Sequence, residues 1–303
     1  MSSTRPWRRS TPRSSASPAG RRPEYAMSLA NMPLSELLIL CAAISVSGLI
    51  AGVLAGLFGV GGGIIIVPVL SEVWQVLGVE PDLAMPLAVG TSLAGILPTA
   101  IRSTLGHDKK GAVDWPLLKA WVAPLFMGAC AGVVLAALAG GQGLKIVFAT
   151  GAIVLAGLMT FTRDGMQVMA APPVRDWRGW SLASGNAALS TMMGIGGGAF
   201  GATILNLCGF PIHRAIGTAA GFGAVIAVPG TVGMAIAGWN AEGLPWGSLG
   251  FVSIPAVLLT VPAALISTPW GVRMAHALSR TALRRAFAIF LCLMAARMIW
   301  RAI

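Results

Sequence analysis

Ten apolar runs, nearly free of charge, account for most of this chain: 34–58, 64–77, 83–101, 115–139, 144–161, 180–193, 199–208, 215–239, 246–268 and 281–300, of which 64–77, 180–193 and 199–208 are short and flank two Gly-rich turns. No other feature constrains its fold as strongly. A helix of about twenty apolar residues matches the hydrocarbon thickness of a bilayer, and ten such runs leave no room for a sizeable soluble domain. Only 10% of the 303 residues are charged and the mean hydropathy is +0.80. Soluble domains carry roughly a quarter charged residues, so the expected class is an all-α polytopic membrane protein.

The net charge of +11 suggests an acidic partner until it is located. Arg5, Arg8, Arg9, Arg13, Arg21 and Arg22 all precede the first acid, Glu24, in a Ser/Pro/Arg mixture with almost nothing to bury. Residues 1–33 therefore read as a disordered basic tail, or as sequence upstream of a true start at Met27 or Met32. No folded basic face accompanies the tail, and nucleic acid is not an expected partner. The first apolar run is too long for the core of a secretory signal.

Chemistry that needs clustered side chains has little to work with. Cys41, Cys130, Cys208 and Cys292 are scattered through apolar runs without a CxxC pair, and His107, His213 and His276 lack metal-ligand spacing. No cofactor or metal is expected. There is no GxxxxGK[ST] phosphate loop, and GIGGGA at 194–199 satisfies a relaxed dinucleotide pattern without a surrounding soluble βαβ unit. With no nucleophile–base or paired-carboxylate arrangement, the chain is not expected to be an enzyme.

The chain repeats itself. GVGGG at 59–63 aligns with GIGGG at 194–198, VGTSLAG at 89–95 with IGTAAGF at 216–222, Trp115 and Pro124 with Trp246 and Pro255, and LKIVFA at 144–149 with LRRAFA at 283–288. The expected organisation is a first membrane repeat at 34–162, a cytoplasmic linker at 163–179 and a second repeat at 180–303. Five segments per repeat is an odd number, which makes the two units an inverted-topology pair. Placing both termini outside puts most loop lysines and arginines on the cytoplasmic face, as the positive-inside rule requires.

Three successive glycines should break a helix, and unpaired backbone is tolerated in a membrane only where protein covers it or it lines a polar cavity. A helix starting just after each glycine turn, at Ile64 and Ala199, would aim free N–H groups and a positive dipole end at that cavity. Two such starts from inverted halves would make an anion site. Isolated glycine series have a plainer use: Gly48, Gly52 and Gly56, and Gly128 and Gly132, fit close helix packing.

GVGGGIIIVPVL, the following VGTSL, then GIGGG, FPIHRAIGTAAG and the final LRRAFAIFLCLMAARMI resemble the sulfite exporter TauE/SafE family of bacterial membrane permeases over about residues 34–303. The resemblance implies a multi-pass protein of the bacterial inner membrane that moves small sulfur-containing anions, such as sulfite, sulfoacetate or other organosulfonates, out of the cell. Alternating access driven by an ion gradient is the expected mechanism; a passive anion channel and a non-transporting scaffold subunit are the alternatives. The expected partners are a small anion and the lipid bilayer, and the sequence carries no signal for an oligomeric state. Pro68 has Thr203 opposite it, and Thr91 and Ser92 face Thr218 and Ala219, so the second half offers one hydroxyl fewer.

An oxyanion calls for donors. The candidates are the backbone around Gly61, Gly62, Gly63, Gly196, Gly197 and Gly198, with Thr91, Ser92, Thr218, Asn186 and Asn206; Ser190 and Thr191 lie nearby. For the hydroxyls, bonding back to a carbonyl one turn earlier is the competing use. Glu72 reads as a proton-coupling group or an interfacial carboxylate. His213 and Arg214 read as an anion entrance or as part of the positive-inside bias.

Overall fold

The computed structural model describes residues 34–58, 62–161 and 176–277. The basic tail, Gly61, most of the expected linker and the last apolar run lie outside the described residues. Those described form α1 (Leu34–Phe58), α2 (Gly63–Val76), α3 (Pro81–Asp108), α4 (Trp115–Phe161), α5 (Trp177–Met193), α6 (Gly198–Leu207), α7 (Ile212–Ala237) and α8 (Ile254–Ala277). A strand pair, β1 (Ser248–Leu249) and β2 (Val252–Ser253), precedes α8. The protein is an all-α membrane protein, in which α3, α4, α7 and α8 are long and apolar enough to cross a bilayer. At 14 and 10 residues, α2 and α6 rise only about 21 and 15 Å and fall short of a crossing.

Several boundaries differ from expectation; α3, for one, runs seven residues past Ile101 to Asp108. α4 continues from the fourth apolar run into the fifth, but Gly140, at φ 64° and ψ −173°, divides it into two arms. α5 begins at Trp177 because the Asp176 carboxylate accepts the Gly179 N–H at 3.0 Å, so 177–179 belong to a helix and not to the linker. The ninth run begins with a turn at Gly247 and a hairpin at 248–253 that reverses at Gly250, and its helix starts only at Ile254.

Packing follows small residues. α1 lies along α8 with Gly48, Gly52 and Gly56 against Thr260, Ala264 and Thr268, while the first arm of α4 lies along α5 with Gly128 and Gly132 against Ser184 and Ala188. Both pairs keep a constant register and so run parallel. At the centre, Gly230 meets Leu93 and Gly223 meets Ala100, a register that makes α3 and α7 antiparallel. A methyl at Gly52 would strike the Ser267 hydroxyl and the Ala264 carbonyl, and the latter, a main-chain group, cannot move without shifting α8. Gly52→Ala is therefore expected to destabilise the protein by about 1–3 kcal/mol, read as a lower unfolding midpoint in detergent.

The same joints recur in both parts of the chain. The Thr91 hydroxyl accepts the Ser253 N–H just before α8, and the Thr218 hydroxyl accepts the Asp114 N–H just before α4, both at 2.9 Å. Gly90 is pressed on the Phe251 carbonyl and Gly217 on that of Ala112. Gly106 packs on Val272 as Gly233 packs on Val133. These pairs set the register, which corrects the alignment of Trp115 and Pro124 with Trp246 and Pro255: Trp115 opens α4, whereas Trp246 precedes the hairpin.

Charge divides between the ends of α3 and α7, which are about 40 Å long. Arg102, Lys109, Lys110, Lys119, Arg178, Arg214 and Arg273 gather where α3 ends and α7 begins, and the acids there have local duties. Asp108 accepts the Trp115 indole N–H at 2.7 Å, Asp114 caps α4 and pairs with Arg214 at 2.9 Å, and Asp176 caps α5. The opposite end carries Glu80, Asp82 and Glu242, and Lys145 is its one cation among the described residues.

Candidate anion site at two glycine turns

The Gly-rich sequences end up in contact. Gly62 caps α2 at φ 79° and ψ −7°, and Gly197 caps α6 at φ 77° and ψ −7°. That left-handed conformation suits glycine and explains the sequence at both caps. The helices begin at Gly63 and Gly198, one residue before the expected Ile64 and Ala199. Neither start has a side-chain cap. The first N–H groups of a helix have no acceptor within it, so two buried helix starts present main-chain donors and the positive ends of their dipoles.

The turns approach more closely than side chains would allow. A methyl at Gly63 would collide with the Gly194 carbonyl, and Gly194 also lies against Val67 and Val89. Gly196 touches Ile96 of α3 and Gly223 of α7, where the two central helices cross. Ser92 ties the assembly together: its hydroxyl donates to the Gly194 carbonyl at 2.8 Å, across 102 residues of sequence.

Asn186 sits beside the second turn and is buried. Its Nδ2 donates to the Gly197 carbonyl at 3.3 Å, and its Oδ1 accepts the Ser190 hydroxyl at 3.3 Å. One Nδ2–H is left over from this network, adjacent to the start of α6. Thr191 is fully buried with no partner at its hydroxyl.

The expected donors thus separate into groups. Gly63 and Ser92 both meet the second turn at Gly194, Asn186 lies beside Gly197, and Gly196 packs between the central helices, with Gly62 and Gly198 adjoining them in sequence. Thr91 and Thr218 lie on the same two central helices, where their oxygens accept the backbone N–H groups that join α3 to α8 and α7 to α4. The single Ser92 hydrogen already serves Gly194. Asn206 lies apart, its amide donating to the Phe210 carbonyl at 3.2 Å to close the α6–α7 loop. Glu72 is half-buried on α2; His213 and Arg214 open α7 at the basic end, with the Arg214 guanidinium also 5.4 Å from the centre of the Phe210 ring. Sequence reading missed Trp121, whose buried indole N–H has no partner and whose ring stacks on Phe222 at 5.5 Å between centroids. Its position among apolar residues of α4 gave no signal.

Comparison with known proteins places the sequence in a family. A "probable membrane transporter protein" of Haemophilus influenzae is 32% identical over 255 residues, covering 83% of this chain and 95% of that protein. One from Methanocaldococcus jannaschii is 27% identical over 252 residues, covering 82% and 91%. The "probable membrane transporter protein YunE" of Bacillus subtilis is 44% identical over a shorter stretch of 70 residues, 23% of this chain and 26% of its own. No solved structure shows a significant match. The family model described as "Sulfite exporter TauE/SafE" matches residues 44–298, and the chain belongs to that family of membrane transporters.

Proposed function

We propose that the protein is an inner-membrane permease for small sulfur-containing anions, sulfite or organosulfonates, and that it exports them by alternating access. The supporting observation is that Gly63, at one uncapped, buried helix start, packs on the Gly194 carbonyl of the glycine turn that leads into the other uncapped, buried start at Gly197–Gly198. Main-chain donors are suited to an oxyanion because they carry no compensating positive side chain, so the anion is held without being trapped. Asn186 adds one side-chain donor. The reading treats residues 34–162 and 180–303 as inverted halves, with α3 and α7 crossing antiparallel at the pivot and the joints at Thr91 and Thr218 acting as equivalents. The cation-rich end is then cytoplasmic, both termini lie outside, and an ion gradient drives the cycle.

Counterflow tests it. Proteoliposomes preloaded with unlabelled sulfite and placed in a trace of labelled sulfite should accumulate label transiently above equilibrium. A carrier does this because its site must reorient loaded. Simple equilibration without overshoot identifies a channel, and absence of any protein-dependent flux of sulfite, thiosulfate or an alkyl sulfonate overturns the transport reading.

A further inference from the structure

Away from the glycine turns, a cleft of about 570 Å³ opens between the last turns of α3 and α8. Its lining combines Arg102, Lys109, Lys110 and Arg273 with Leu105, Gly106, Pro269 and Val272. Asp108, the one acid of the lining, already accepts the Trp115 indole N–H. Among the described residues the ion pair at this end is Arg214–Asp114, and the four cations of the cleft have none. All four are exposed.

Helix ends alone do not account for this cluster. Lys109 and Lys110 follow α3 and can neutralise its C-terminal dipole, but that effect fades within the last turn and Arg102 lies beyond it. Nor does the packing of α3 on α8 require cations. The comparable contact, Gly233 on Val133, is flanked on α7 by exposed Val232 and Ile236 with no charge.

The surroundings fit an amphiphile. Ile101 and Leu105 are exposed on α3, and Ile266, Trp270 and Met274 on α8, so apolar surface runs from the cleft along the membrane-facing sides of both helices. A basic pocket between helices at a membrane surface, with apolar walls below it, matches a phosphate headgroup above its acyl chains. We propose that this cleft binds an anionic phospholipid, the phosphate held by Arg102, Arg273, Lys109 and Lys110 and one chain lying along Leu105 and Trp270. The site is independent of the anion carried at the glycine turns.

The test is native mass spectrometry of the full-length protein from mixed micelles containing phosphatidylglycerol or phosphatidylcholine, with phosphatidylglycerol expected to be retained preferentially. Arg102→Gln with Arg273→Gln should reduce that preference roughly thirtyfold, while Arg102→Lys with Arg273→Lys should keep most of it. The Lys pair controls for misfolding, as does Arg214→Gln, which removes a cation outside the cleft. Displacement of the lipid by millimolar inorganic phosphate would assign the site to free phosphate and overturn a lipid site. Equal retention of both lipids, or a preference unchanged in the Gln pair, would overturn any anion site here.

Discussion

Gly63→Ala is expected to abolish transport, with a fall of at least roughly a hundredfold in the initial rate, while the protein still inserts and elutes as a single species. The added methyl would occupy the space of the Gly194 carbonyl, a main-chain group inside the opposing turn. Gly63 lies inside α2 and has ordinary helical dihedrals, so the substitution creates no backbone strain and improves local helix propensity. Its cost comes entirely from forcing the two turns apart. Overpacking of this kind costs about 1–3 kcal/mol, which a membrane domain of this size can bear. A displacement of about 1 Å is nonetheless enough to spoil a site that depends on fixed main-chain donors. Gly185→Ala is the matched control, since nothing lies within 4 Å of its added methyl; it should transport normally and be slightly more stable. The measurement is initial flux into proteoliposomes normalised to inserted protein. Wild-type flux in Gly63→Ala would remove the paired turns from the mechanism.

The glycine turns were legible in the sequence because three successive glycines between apolar runs admit few other uses, and the structure gives Gly62 and Gly197 nearly identical dihedrals. Helix-packing glycines were legible for a similar reason: Gly48, Gly52 and Gly56 fall one turn apart. Side-chain roles were much less so. Ser92 had the composition of an anion donor, but its only hydrogen goes to a carbonyl 102 residues away, a partner that no local pattern discloses. Thr91 is joined to Ser253 across 162 residues, and only the fold shows that Thr218 does the same with Asp114. The start of α5 was missed because its first residues, Trp177, Arg178 and Gly179, are not an apolar run. Asp176 supplies the helix start that hydropathy cannot. Charge was legible as a count per loop, whereas the local duties of Asp108, Asp114 and Asp176 required coordinates.

Asn186→Asp separates a binding role for this residue from a structural one. The carboxylate is nearly isosteric with the amide and keeps an acceptor for the Ser190 hydroxyl, so the fold should be retained. It loses both N–H donors, including the one that reaches the Gly197 carbonyl. If an anion binds at the start of α6, a fixed negative charge there takes the place of the substrate on the helix dipole and repels it. Transport at neutral pH should then fall roughly a hundredfold, through a weaker apparent affinity as well as a lower maximal rate. The sign of the pH response follows from the same charge. Protonation returns a neutral side chain that again has one donor, so activity should recover as pH falls and the carboxylate is lost, whereas the wild type has no such group to titrate at this position. An alkyl sulfonate is the right substrate for the measurement, because it stays singly charged throughout and the response belongs to the protein. A purely structural Asn186 would show the same recovery at low pH in the amount of folded protein, because protonation also restores a donor to the Gly197 carbonyl, but it would leave the apparent affinity for the sulfonate unchanged; that outcome would leave the α6 start without its side-chain donor and the anion site resting on backbone alone.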